Sequence, residues 1–148
     1  MKRRAFLLAS MGALASFTSL ASLACKKGAP QQARCKRCGM RVDPASSWRT
    51  DLVHDDGSVT SFDTPRCALT SWRTGQTPAK AIRVQEYYDR AWRDGAEVRF
   101  LYGGDVAGPM GPDFVPVDPS RASKFIQDHG AEAAYRLDEL TADFLAKN

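Results

Sequence analysis

The sequence predicts an α+β fold built from two related strand–strand–helix units packed into one domain. Three observations predict it. Two stretches, 49–75 and 96–130, each run as two short strand-like segments followed by an amphipathic helix. Both helices open on the same device, a capping residue followed by proline: Thr64-Pro65 and Asp118-Pro119. Such residues satisfy the free amides of a first turn, and proline suits the first helical position because it has no amide to satisfy. Both helices close on glycine, Gly75 and Gly130, the residue that most readily takes the left-handed stop. Two strand–strand–helix units in succession suggest an α+β domain built by duplication.

The elements follow in chain order. Arg49–His54 reads as a strand carrying Leu52 and Val53, Asp55-Asp56-Gly57 as a turn, and Ser58–Phe62 as the returning strand. Ala68, Leu69 and Trp72 share one face of the helix that follows. Pro78-Ala79-Lys80 separates the units, which span about 34–77 and 80–148. Val84–Tyr88 reads as a lead-in strand to the second unit. Val98, Phe100 and Tyr102 recur at period two in the strand Ala96–Tyr102. A Gly/Pro loop over 103–112 precedes the return strand Asp113–Val117. Ala122, Phe125 and Ile126 form the buried face of the second helix. Tyr135–Leu137 is a short strand, and Asp138–Lys147 a last helix with Leu140, Phe144 and Leu145 inward.

Ahead of this domain, residues 1–24 read as an export signal: Lys2, Arg3 and Arg4, then an uncharged run rich in Leu, Ala and Ser. Arg3-Arg4-Ala5-Phe6-Leu7 resembles a twin-arginine signal. Leu23-Ala24-Cys25 resembles the end of a bacterial lipobox, which makes Cys25 the expected lipidated residue, although Ser22 stands where such signals usually carry Leu. The polar tract over 25–33 then serves as a tether between lipid and domain. Losing the three leader cations takes the formal net charge from +4 to +1. The basic isoelectric point is therefore mainly a property of the leader. No basic stripe with interleaved aromatics suggests nucleic-acid binding.

With Cys25 set aside, three of the four cysteines remain: Cys35, Cys38 and Cys67. An odd number in an exported protein argues against a simple disulfide framework. Cys35-x-x-Cys38 supports three readings: a metal knuckle, a redox pair, or half of a zinc site that borrows Cys67, His54 or His129. The methionines weigh on this choice. Only Met40 and Met110 lie beyond the leader, and both sit in small-residue frames, Cys38-Gly39-Met40 and Gly108-Pro109-Met110-Gly111, rather than on apolar faces. Methionine that fills a core belongs among Leu, Val and Phe. Thiolate and thioether together select monovalent copper. His129 is a weaker candidate ligand, since a cation near the end of a helix also suits its dipole. No paired carboxylates, nucleophile–base pair or phosphate loop supports an enzyme.

These residues also carry a family resemblance. Cys35-Lys36-Arg37-Cys38-Gly39-Met40, Phe62-Asp63, Val84-Gln85-Glu86-Tyr87-Tyr88, Trp92-Arg93-Asp94-Gly95, Gly108-Pro109-Met110-Gly111 and Phe114-Val115-Pro116 together resemble the NosL family, across essentially the whole chain after the leader. The resemblance implies a periplasmic copper chaperone, lipid-anchored to the outer membrane. It implies that Cu(I) passes to the assembly machinery of nitrous oxide reductase, and that the fold is similar to that of alkylmercury lyase. By motif, it implies Cys38, Met40 and Met110 as ligands, with Cys35 beside them. Ala68 stands where the family often shows Met after Cys67, which leaves Cys67 as a further candidate. The competing readings are a thiol–disulfide oxidoreductase using Cys35 and Cys38, a zinc-knuckle lipoprotein, and copper delivery to another exported enzyme. Only soft-metal delivery needs both methionines.

Overall fold

The computed structural model describes residues 33–148; the signal segment, Cys25 and most of the tether lie outside them. β1 (Thr50–Val53) and β2 (Val59–Phe62) form an antiparallel hairpin with Thr50 opposite Phe62 and Val53 opposite Val59. Asp56 shapes the turn between them by accepting from the Ser58 amide at 2.9 Å. α1 (Pro65–Arg73) follows, and β3 (Ala81–Gln85) then returns to pair with β1. β4 (Trp92–Asp94) adds to β3, so the sheet runs β2-β1-β3-β4 with every pair antiparallel.

The second half repeats this topology. β5 (Arg99–Tyr102) is central, and a small hairpin of β6 (Ala107–Gly108) and β7 (Gly111–Pro112) interrupts the path to β8 (Val115–Val117). A 3-10 turn at Pro119–Arg121 leads into α2 (Ala122–His129), and β9 (Ala133–Tyr135) returns to the other edge of β5. A second 3-10 turn at Leu137–Glu139 precedes α3 (Ala142–Lys147). Each repeat is thus strand, strand, helix, strand, with its first strand in the middle. The 81–85 strand belongs to the first sheet rather than leading into the second.

The cap-plus-proline start of α1 forms as expected, whereas Asp118-Pro119 caps the 3-10 turn ahead of α2, which itself begins after Arg121 without a side-chain cap. Thr64 accepts from the Cys67 amide, and Asp118 from the Ser120 amide at 2.9 Å. Strand periodicity then explains the two cores. On β5, Phe100 faces a core shared with Leu52, Phe62, Leu69, Ile82 and Phe114. Its neighbour Leu101 faces the other way, onto Val115, Val117 and Phe125 of the second core. The second sheet is therefore covered on both faces. Ile126, expected inward, is exposed, and α2 contributes Phe125, with Ala122 beside it, to the second core instead. Glu86 is fully buried at the end of β3. It accepts from the amides of Tyr88, Asp89 and Asp118, which fastens the first sheet to the start of α2. Such a carboxylate is tolerated in a core only with its hydrogen bonds made.

Candidate metal centre

The Cys35–Met40 segment is a closed turn. Arg34 and Arg41 pair at its base, the Cys35 amide donates to the Met40 carbonyl at 2.8 Å, and the Gly39 amide donates to the Cys35 carbonyl at 2.9 Å. Gly39 supplies the left-handed φ of 77° that closes it. The turn points Cys35 inward, leaves Cys38 half-buried, and leaves Met40 40% exposed. Opposite it, β2 ends in Asp63 and α1 begins. Thr64 caps that helix, and Cys67 sits in its first turn, its amide donating to the Thr64 hydroxyl at 3.3 Å.

This arrangement brings four ligand groups together. The sulfurs of Cys35, Cys38 and Cys67 and one oxygen of Asp63 all lie within 4.8 Å of one another. Cys38 Sγ donates to Asp63 Oδ2 at 3.2 Å. Asp63 Oδ1 is buried and accepts from nothing in the protein. A buried carboxylate oxygen without a partner is rare in folded proteins, and a bound cation would satisfy it. Three thiols beside that oxygen fit a soft or borderline metal ion.

The thiols differ in their acidity. The hydrogen bond from Cys67 lowers the Cys35 thiol to about 6, against the effect of burial. Burial pushes the Cys38 thiol up to about 11. Cys67 is raised, chiefly because it shares its proton with Cys35. At neutral pH the cluster holds one ready thiolate and two protonated thiols.

Met110 approaches from the second repeat. It sits at the tip of the β6–β7 hairpin beside Pro109, which fixes the backbone there, and is 58% exposed. Asp113 anchors the base of that hairpin to α1 by accepting from the Arg66 amide at 2.8 Å and from its neighbour Phe114 at 2.7 Å. Burial holds the Asp113 carboxyl up at about 6. Arg66 completes the clasp by donating from Nε to the Pro112 carbonyl at 3.2 Å, its guanidinium 5.0 Å from the Phe114 ring centre. Cys38, Cys67 and Met110 consequently line one cleft of about 460 Å³, with Arg37, Arg66 and Asp113 around them. A larger cavity of about 750 Å³, beside Trp72, Arg73 and Leu137, contains no Cys, Met or His in its wall.

The structure gathers Cys35, Cys38 and Cys67 and sets Met110 over the same cleft. Met40 stays in the turn that carries Cys38 but does not line the cleft. His129 lies outside the four-residue cluster. Its Nδ1 is 2.9 Å from Asp105, and its Nε2 is 3.3 Å from the Tyr87 hydroxyl. His54 is also engaged, with Pro78 and Thr60. The sequence singles out Asp63 only in the Phe62-Asp63 motif, with no ligand role attached.

The family model described as NosL matches residues 28–145. Among solved structures, the chain resembles the crystal structure of the copper chaperone NosL from Shewanella denitrificans. The TM-score is 0.62 at 20% sequence identity, covering 75% of this chain and 91% of that one. At that identity the likeness establishes the fold. No curated protein matches the chain.

Proposed function

Because the chain belongs to the NosL family, we propose that it is a copper chaperone: it binds Cu(I) and hands it on without performing catalysis. The observation that carries this reading is the convergence of three thiols and an unpartnered carboxylate oxygen at the floor of a cleft whose mouth holds a thioether. Sulfur donors hold monovalent copper against harder ions. Cys38 and Met110, which share the cleft, are the central ligands of this proposal. Cys35 and Cys67 close the site from below, and Met40 joins from the turn.

Thiol–disulfide exchange is the alternative that Cys35-x-x-Cys38 suggests. It needs an accessible thiolate. The most acidic thiol here is Cys35, which is 2% exposed. Copper storage and transfer make better use of a buried thiolate beneath a soft-lined mouth.

The rest of the proposal follows the family and the leader. The protein is exported, lipidated at Cys25 and held at the outer membrane facing the periplasm. There it delivers copper to the machinery that builds the centres of nitrous oxide reductase. Its fold would then be a relative of alkylmercury lyase. Another exported copper enzyme as client is the variant of this reading.

The test is an anaerobic Cu(I) titration against a colorimetric Cu(I) chelator. Wild-type protein should bind one Cu(I). Cys38→Ser should cost more affinity than Met110→Leu, because it removes an anionic ligand. Leu keeps the bulk of Met, so a loss in Met110→Leu reports ligation rather than packing. Undiminished affinity in Met110→Leu would remove the hairpin from the site. Intact mass of the membrane-fraction protein tests Cys25: a chain without acyl mass, or with residues 1–24 retained, refutes lipidation.

A further inference from the structure

We propose that the mouth of the metal cleft is a docking face for an acidic surface on a protein copper acceptor; the proposal rests on the delivery reading above. The charge distribution is lopsided. All seventeen carboxylates of the chain lie at residue 43 or later. The segment 34–41 holds four cations, Arg34, Lys36, Arg37 and Arg41, and no acid. From residue 42 onward, twelve cations face those seventeen carboxylates. The turn that carries Cys35 and Cys38 is therefore a local concentration of positive charge in a domain whose remaining residues are net acidic.

That charge is presented to solvent. All four of those cations are exposed. Arg34, Lys36 and Arg37 make no ion pair among the described residues, whereas Arg49, Arg93, Arg121, Lys124 and Arg136 each pair with a carboxylate. Asp113 in the cleft wall and Asp63 in the cluster are both buried, and Asp43, just past the turn, accepts from the Ala45 amide. Within the basic rim sit Met40 and Met110, two of the four large apolar side chains that the described residues expose. An apolar centre inside a charged rim is the anatomy of a protein interface.

An acidic protein surface suits this face better than an anionic bilayer. Copper must leave through the mouth, and a lipid surface offers no sulfur or nitrogen to receive it. Opposite charge steers encounter, raises the association rate and fixes the orientation that brings donor and acceptor ligands together.

The probe is a fluorescently labelled oligoglutamate peptide without Cys, Met or His, with binding read by anisotropy. Two charge reversals are compared. Lys36→Glu lies in the turn, and Lys80→Glu lies beside Val53 at the far end of the first sheet. Both side chains are exposed, so thermal melts should match wild type. The peptide should bind at about 20 mM salt and weaken at least ~10-fold by about 500 mM, as screening requires. At about 150 mM salt, where the screening length is about 8 Å, Lys36→Glu should weaken binding at least ~5-fold and Lys80→Glu less than ~2-fold, since Lys36 belongs to the turn and Lys80 to the opposite end of the first sheet. Equal effects of the two reversals, or none, would overturn the proposal. So would a Lys36→Glu defect confined to phosphatidylglycerol vesicles, which would make the face a membrane contact. Because the peptide has no metal ligand, its binding is independent of the Cu(I) titration, and the two readings fail separately.

Discussion

Copper uptake should release about one proton per Cu(I) near neutral pH and about two in mild acid, because ligand thiols must ionise to bind the metal. The Cys35 thiol lies at about 6 and is already ionised at neutral pH, whereas the Cys38 thiol lies at about 11 and is protonated throughout the working range. If Cys35 and Cys38 bind copper as thiolates and Cys67 keeps its proton, only the Cys38 proton is displaced above the Cys35 midpoint, and both are displaced below it; a thiolate from Cys67 as well would add one proton to each count. Met110 contributes no proton. The apparent affinity should therefore change about 10-fold per pH unit on the alkaline side, about 1.4 kcal/mol, and approach about 100-fold per unit on the acid side. Anaerobic chelator competition between about pH 5 and pH 8.5 reads these slopes, and an indicator dye counts the protons directly. Met110→Leu should lower the curve without changing its slopes. Cys67→Ala removes the hydrogen bond that keeps Cys35 acidic and should move the break toward higher pH. A single slope across the whole range, or none near neutrality, would refute the assignment of Cys35 and Cys38 as the paired thiolates.

Two further perturbations test how the cleft is built. Asp113 has its folded value raised by burial from 3.8 to about 6, so its contribution favours the folded state at low pH and is lost as pH rises through about 6. Asp113→Asn keeps an acceptor for the Arg66 and Phe114 amides without the buried charge. It should match or exceed wild-type stability near neutral pH, by up to about 3 kcal/mol, and flatten the dependence between about pH 4 and pH 6 in urea melts. A large loss at neutral pH would show that the charge itself holds the clasp. Gly104→Ala, at the foot of the Met110 hairpin, would place a Cβ 2.2 Å from the His129 carbonyl at a φ of 84°. It should cost at least about 2 kcal/mol in thermal denaturation, against about 1 kcal/mol for Gly39→Ala, where only the left-handed backbone opposes a side chain. Equal losses would mean that the foot of the hairpin yields.

Local signals carried much of the fold. Asp55-Asp56-Gly57, Thr64-Pro65 and Asp118-Pro119 act within a few residues of themselves, and the turn and both caps form where those residues stand. The closing strands were harder to read. Ala81–Gln85 and Ala133–Tyr135 pair with strands that precede a whole helix, and nothing in a short window shows which edge a returning strand will take. The site divides in the same way. The proximity of Cys35 and Cys38 is written in their spacing. Asp63 and Cys67 join them only because α1 starts directly under the turn, a tertiary contact that leaves no trace in either motif. The anchoring of the Met110 hairpin through Asp113 crosses 47 positions of sequence to Arg66 and was equally invisible.

Three free thiols within one cluster cannot all be satisfied by oxidation. A disulfide between any two leaves the third beside it, positioned to attack and exchange. Oxidised, metal-free protein would then be a set of interconverting pairings with no single ground state, and its most acidic sulfur, Cys35, would drive the exchange. A bound metal ion ends that competition by engaging the sulfurs together. In an oxidising medium the durability of the protein would then depend on occupancy of the cluster: a metal-bound form would keep its thiols from oxidation, and a metal-free form would need refilling or reduction before they pair.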